Sequence, residues 1–134
     1  MKKRIIFIIT ILLLSCACSN NGIKNINLKT LNKKIENKES FVLYLNDESD
    51  GKVLKNTLNR VSKNHNIESY SLNTIKLNDN DLNDLKKQFM FDETNIIIFI
   101  KNGNEETVLS RINDLYISEK DLEQELINQN YIKK

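Results

Sequence analysis

The chain has 134 residues, with 20 Lys and Arg against 18 Asp and Glu, one His, two Cys and no Pro or Trp. That length supports one domain around one core, while the near-balanced charge lacks the basic excess expected of a nucleic-acid binder. The lone His65 excludes a multi-histidine metal site, and because both cysteines, Cys16 and Cys18, stand near the N-terminus, the body has no thiol for a disulfide, a metal or catalysis.

Lys2, Lys3 and Arg4 precede an apolar run from Ile5 to Leu14, broken only by Thr10, and small Ser15 leads into Cys16. This is the order of a secretory signal. A spanning helix needs about 20 apolar residues, so this shorter run is not expected to remain in the bilayer. The residues Leu13-Leu14-Ser15-Cys16 resemble the lipobox of bacterial lipoproteins. That resemblance implies a diacylglycerol thioether on Cys16, palmitate-type acyl chains, and a mature chain that begins at Cys16. Cys18 would put Ser15 where the lipobox has Leu, so Cys16 is the expected lipidation site; the alternative is an ordinary cleaved signal with a chance cysteine. With two or more acyl chains the tether is lasting, which places the protein on the extracytoplasmic face of the cell membrane. Loss of Lys2, Lys3 and Arg4 with the signal takes the formal charge from +2 to −1. The sequence thus divides into a signal at 1–15, a lipidated N-terminus with a flexible Asn-rich spacer at 16–27, and a folded domain at 28–134.

Within the domain, Leu28, Leu31 and Ile35 recur at helical spacing and predict a helix over 28–37. Phe41 to Leu45 is apolar throughout, as in a strand buried on both faces. Leu54, Leu58 and Val61 mark a second helix over 51–64, with Ser49 or Asp50 as its N-cap. His65 falls at that helix's end, where a cation suits the dipole.

Ile67 to Leu72 alternates and predicts a strand. Leu82, Leu85 and Phe89 then form the inner face of a helix over 79–90, capped by Asn78 or Asp79. Its Asp79, Asp81 and Asp84 lack the glycine and closing glutamate of a calcium loop and read as a solvated face. Asn95 to Ile100 is intensely apolar, and Asn102-Gly103 predicts a tight hairpin to a return strand over 106–111. Ser118 and Asp121 resemble a capping box, with Ile117 and Leu122 as its staple and Leu122 and Leu126 facing inward on the last helix.

The order helix, strand, helix, strand, helix, hairpin, helix predicts an α/β fold with a mixed sheet and helices on both faces. It resembles the thioredoxin fold over about Leu28 to Lys134. The echoes are Phe41 to Leu45 running into a loop and long helix, Phe89-Met90-Phe91-Asp92 before the hairpin, Ile98 to Gly103, and Ser118 to Leu122 opening the closing helix. Among relatives it looks most like small thioredoxin-like proteins of Gram-positive bacteria, including bacteriocin transport accessory proteins.

Active thioredoxins carry Cys-x-x-Cys where a helix N-terminus lowers the thiol pKa. Here Asp50 and Val53 take the two cysteine places. The cis-proline that shapes the substrate-binding edge of such proteins is replaced, on the best alignment, by Asn95 within Glu93-Thr94-Asn95-Ile96.

The resemblance therefore implies a redox-inactive variant, not an enzyme, with no cofactor and no metal. Ser49, Asp50, Gly51, Lys52, Val53, Thr94 and Asn95 would line a surface for a protein or peptide partner. The alternative is a thiol-disulfide oxidoreductase or its accessory subunit, working through Cys18 or a partner's cysteines.

Overall fold

In the computed structural model, which describes residues 22–48, 51–103, 111–112 and 116–133, the apolar stretches assemble into one five-stranded sheet. The strands are β1 (Lys24–Ile26), β2 (Phe41–Asn46), β3 (Ser69–Asn73), β4 (Ile96–Ile100) and β5 (Arg111–Ile112), in the spatial order β1-β3-β2-β4-β5. Four helices surround them: α1 (Leu28–Glu36), α2 (Lys52–His65), α3 (Asp79–Phe89) and α4 (Glu119–Asn128). β2 pairs in parallel with β3 and antiparallel with β4, which explains its continuously apolar sequence: strands flank it on both sides and helices cover both its faces.

Alternation along the central strands sorts the core into two layers. Phe41, Leu43 and Leu45 of β2 join Ile96, Ile98 and Ile100 of β4 on one face, under Leu31 of α1 and Leu85 and Phe89 of α3. Val42 and Tyr44 join Ile97 and Phe99 on the other, under Leu54, Leu58 and Val61 of α2 and Leu122 and Leu126 of α4. Each fully buried large apolar side chain contributes about 1.5–3 kcal/mol relative to exposure, so these layers dominate the stability. Tyr131 closes the second layer at one end of the sheet: its ring lies 5.7 Å from that of Phe99, and its hydroxyl donates to the Ile100 and Phe41 carbonyls.

Local chemistry sets the helix ends. Asn27 Oδ1 accepts from Thr30 N–H at 2.8 Å, Asn78 Oδ1 from Asp81 N–H at 2.9 Å, and Ser118 Oγ from Asp121 N–H at 3.2 Å. These satisfy donors that the first helical turn leaves unpaired. His65 lies in the last turn of α2 and meets Glu123 of α4 at 2.9 Å.

Three sequence expectations change. Residues 24–26, read as spacer, form an edge strand parallel to β3, with Lys24 opposite Tyr70 and Ile26 opposite Leu72. The strand is secured from outside: Ile23 N–H donates to Asn59 Oδ1 at 3.0 Å, and Gly22 is buried so closely that a Cβ there would lie 2.7 Å from the same oxygen. The hairpin differs too. Ile97 pairs with Ile112 and Ile98 with Arg111, so the pairing is centred between residues 104 and 105 rather than on Asn102-Gly103; the span 104–110, most of the expected return strand, lies outside the described residues. Finally, the N-cap of α2 is Gly51, with no side-chain cap bond, in place of Ser49 or Asp50.

Candidate functional site

The parallel strands deliver β2 and β3 to the same end of the sheet, where β2 runs out at Asn46 and the chain returns as α2. β4 starts at that end, because Ile96 pairs with Leu45, and this brings Thr94 and Asn95 beside the residues that leave β2. The polar side chains there interlock. Asn95 Nδ2 donates to Asp47 Oδ1 at 2.8 Å, Asp47 N–H points back to Asn95 Oδ1 at 3.4 Å, and Thr94 Oγ1 donates to the second carboxylate oxygen of Asp47.

Beneath them the Tyr44 hydroxyl, inside the second core layer, lies 3.0 Å from the Gly51 carbonyl and 3.2 Å from Asn95 Oδ1. One proton serves two acceptors. Burial first, and the negative charge of Asp47 second, push Tyr44 up to about 12, so at neutral pH it is a fixed donor and not an acid-base group.

Asn95 is buried and has φ 57°, in the left-handed region that asparagine tolerates better than most residues. Gly51 is needed for a different reason. Its φ is an ordinary −74°, but a Cβ would stand 1.9 Å from the Tyr44 oxygen and 2.6 Å from Asn95 Oδ1. Only a glycine lets the α2 N-terminus close over the tyrosine.

A cavity of about 350 Å³ opens above this network, lined by Tyr44, Asn46, Glu48, Gly51, Lys52, Lys55 and Asn95. A second, of about 300 Å³, shares Asn46, Glu48 and Lys55 and extends across the strand ends past Asn73 and Lys76 to Asn25 and Asn27 of the β1 edge. Together they form a groove furnished with amide and ammonium groups. Asn46 Nδ2 is held by Ser71 Oγ at 2.8 Å, and Asn73 Nδ2 donates to Glu48, so part of this lining is fixed in place.

Of the residues singled out from sequence, Gly51, Thr94 and Asn95 come together directly, and Lys52 lines the groove from the first turn of α2. Val53 points outward and is 49% exposed. Ser49, Asp50 and Cys16, the expected lipidation site, lie outside the described residues. Sequence reasoning missed Tyr44, which reads as a member of the apolar strand, and Asn46, which falls just beyond it in the following loop. A tyrosine inside such a strand was the available signal, since a buried hydroxyl needs a partner.

Among the described residues no group of three or more His, Cys, Asp or Glu converges as a metal ion would require, and no helix is long and apolar enough to cross a membrane.

No family model matches the chain, and neither does any curated protein. Among solved structures it is similar to thioredoxin NaTrxh from Nicotiana alata, with a TM-score of 0.55 over 84% of this chain and 98% of that one, at 12% identity. The fold is thioredoxin-like. In this thioredoxin-like frame, the loop leaving β2, the start of α2 and the residues before β4 are the segments that the resemblance read from sequence assigns to the redox site. The position given to the cis-proline holds Asn95, among described residues with no cis peptide bond.

Proposed function

We propose that this protein is a redox-inactive, thioredoxin-like accessory module that binds a peptide or protein segment at the end of the sheet carrying Asn95, while a lipid on Cys16 holds it at the extracytoplasmic face of the membrane. The observation that carries the reading is the Tyr44–Asp47–Thr94–Asn95 network. It uses polar side chains to build a fixed wall where a thioredoxin keeps its chemistry, and it opens onto a groove with amide and ammonium donors. Such donors suit backbone carbonyls and carboxylates of an extended chain. The lipobox-like Leu13-Leu14-Ser15-Cys16 and the likeness to bacteriocin transport accessory proteins support the surface location.

The fold alone fits equally a thiol-disulfide oxidoreductase that works through Cys18 or a partner's cysteines. Insulin reduction by the full chain separates the two. No turnover above background is expected, and turnover that disappears in Cys18→Ser would overturn the binding role in favour of the redox one.

A further inference from the structure

The parallel strands give the domain two ends, and the chain enters at the end opposite the groove. β1, β3 and β2 run in one direction, from Lys24 opposite Tyr70 toward Asn46 opposite Asn73. Gly22 and Ile23 sit at the starting end, against Asn59 and Lys63 of α2. Asp47 and Asn95 sit at the finishing end.

Charge divides along the same axis. Lys24 opens β1, Lys33 lies in the last turn of α1, Lys38 precedes β2, and Lys63 lies in the last turn of α2. All four are exposed, and none forms an ion pair with a described residue. Of the acids at this end, Glu39 and Glu68 share Lys34, at 2.6 Å and 3.3 Å, and Glu123 meets His65 at 2.9 Å, while exposed Glu36 and half-buried Glu125 form no ion pair with a described residue. The finishing end carries Asp47, Glu48, Asp79, Asp81 and Glu93 against Lys29, Lys52, Lys55 and Lys76.

We infer that the starting end, with Lys24, Lys33, Lys38 and Lys63, docks on anionic phospholipid headgroups, so that the groove points away from the bilayer. This rests on the lipid anchor proposed above. Five residues lie between Cys16 and Gly22, so the six steps of chain reach at most about 20 Å when fully extended. An anchored domain therefore keeps its entry end within reach of the surface, and its lysines act there only on close approach, because charges further apart than a Debye length of about 8 Å are largely screened. An acyl anchor and a basic patch then act as two membrane signals on one body.

The test uses the full lipidated protein in vesicles of phosphatidylcholine, with or without phosphatidylglycerol, carrying a quencher on lipid headgroups. A fluorophore is placed through Asn64→Cys at the starting end or Ile75→Cys at the finishing end, each in a Cys18→Ser background. With phosphatidylglycerol, quenching is expected to be stronger at 64 than at 75. That difference should vanish in high salt, in pure phosphatidylcholine, and in Lys33→Glu, Lys38→Glu, Lys63→Glu combined. Equal quenching, stronger quenching at 75, or a difference that persists unchanged in pure phosphatidylcholine overturns the orientation and leaves the anchor standing. A chain that fails to float with either vesicle overturns the anchor and the orientation with it.

Discussion

Asp47 and Asn95 hold one another from opposite sides of the strand ends: the asparagine amide donates to the carboxylate at 2.8 Å, and the aspartate N–H faces the asparagine oxygen at 3.4 Å. This reciprocal latch connects the loop after β2 to the start of β4 across 48 residues of sequence.

Substitutions at Asn95 should follow an unusual order. Asn95→Ala takes one donor from the Asp47 carboxylate, which keeps Thr94 Oγ1, and weakens the support of Tyr44, at a cost of about 1–3 kcal/mol. Asn95→Gly loses the same bonds but relaxes into φ 57°, and should be more stable than Asn95→Ala by about 1 kcal/mol. Asn95→Pro, which restores the thioredoxin residue, requires φ near −65° and should cost about 3 kcal/mol or more. Urea denaturation of the three variants ranks them; a proline variant as stable as the wild type would refute the left-handed geometry.

Gly51 and Tyr44 should be energetically coupled. Gly51→Ala drives a methyl into the tyrosine oxygen, whereas Tyr44→Phe removes that oxygen and costs about 1–2 kcal/mol in lost hydrogen bonding. In the double variant the alanine penalty should shrink, and a double-mutant cycle measures by how much. Strict additivity would mean that the close approach is not the reason for the glycine.

The pH dependence of stability should carry a signature of the cluster around Lys34. Burial pulls this lysine down, but hydrogen bonds with Glu39, Tyr70 and Glu68 outweigh it and hold its pKa above the ordinary value. Glu39 is held below its ordinary value, chiefly by its hydrogen bond with Lys34. The contribution of Glu39 is thus complete above the unfolded carboxylate value of about 4.3 and is lost as pH falls through its lowered folded value. Lys34 contributes fully below about 10.4 and loses that contribution only as pH rises through its raised value. Between about pH 6 and about pH 3 the urea midpoint should fall less in Lys34→Met than in the wild type. Identical acid slopes would remove Lys34 from the account.

Much of the frame was legible because burial imposes a period on the chain. Helices α1, α2 and α3 fall within a residue of the limits read from Leu28, Leu31 and Ile35, from Leu54, Leu58 and Val61, and from Leu82, Leu85 and Phe89. Strand β1 left no such trace. Lys-Asn-Ile has no alternation to read, and its stability comes from β3 and Asn59, which are distant in sequence. The alternation of Ile67 to Leu72 marked β3 but not the burial of its serines: Ser69 and Ser71 are buried, satisfied by Ser62 Oγ at 2.7 Å and Asn46 Nδ2 at 2.8 Å. At the site, the family resemblance located the loop and Asn95. The network itself joins Tyr44 to a residue 51 positions away, a pairing no local pattern encodes.

The proposed lipid anchor predicts different fates for the two cysteines. Cys16→Ala should release the protein from the membrane fraction and abolish palmitate labelling, whereas Cys18→Ala should leave both unchanged. Retention of Cys16→Ala with lipid on Cys18 would move the anchor by two residues.

The binding role is tested most directly by photo-crosslinking in intact cells from probes at Glu48 and Thr94, with a probe at Lys63 as the control on the opposite end. The account predicts a discrete adduct from 48 and 94 that is absent from 63 and weakened by Asn95→Ala. No adduct from 48 or 94, or the same adducts from all three positions, would contradict it.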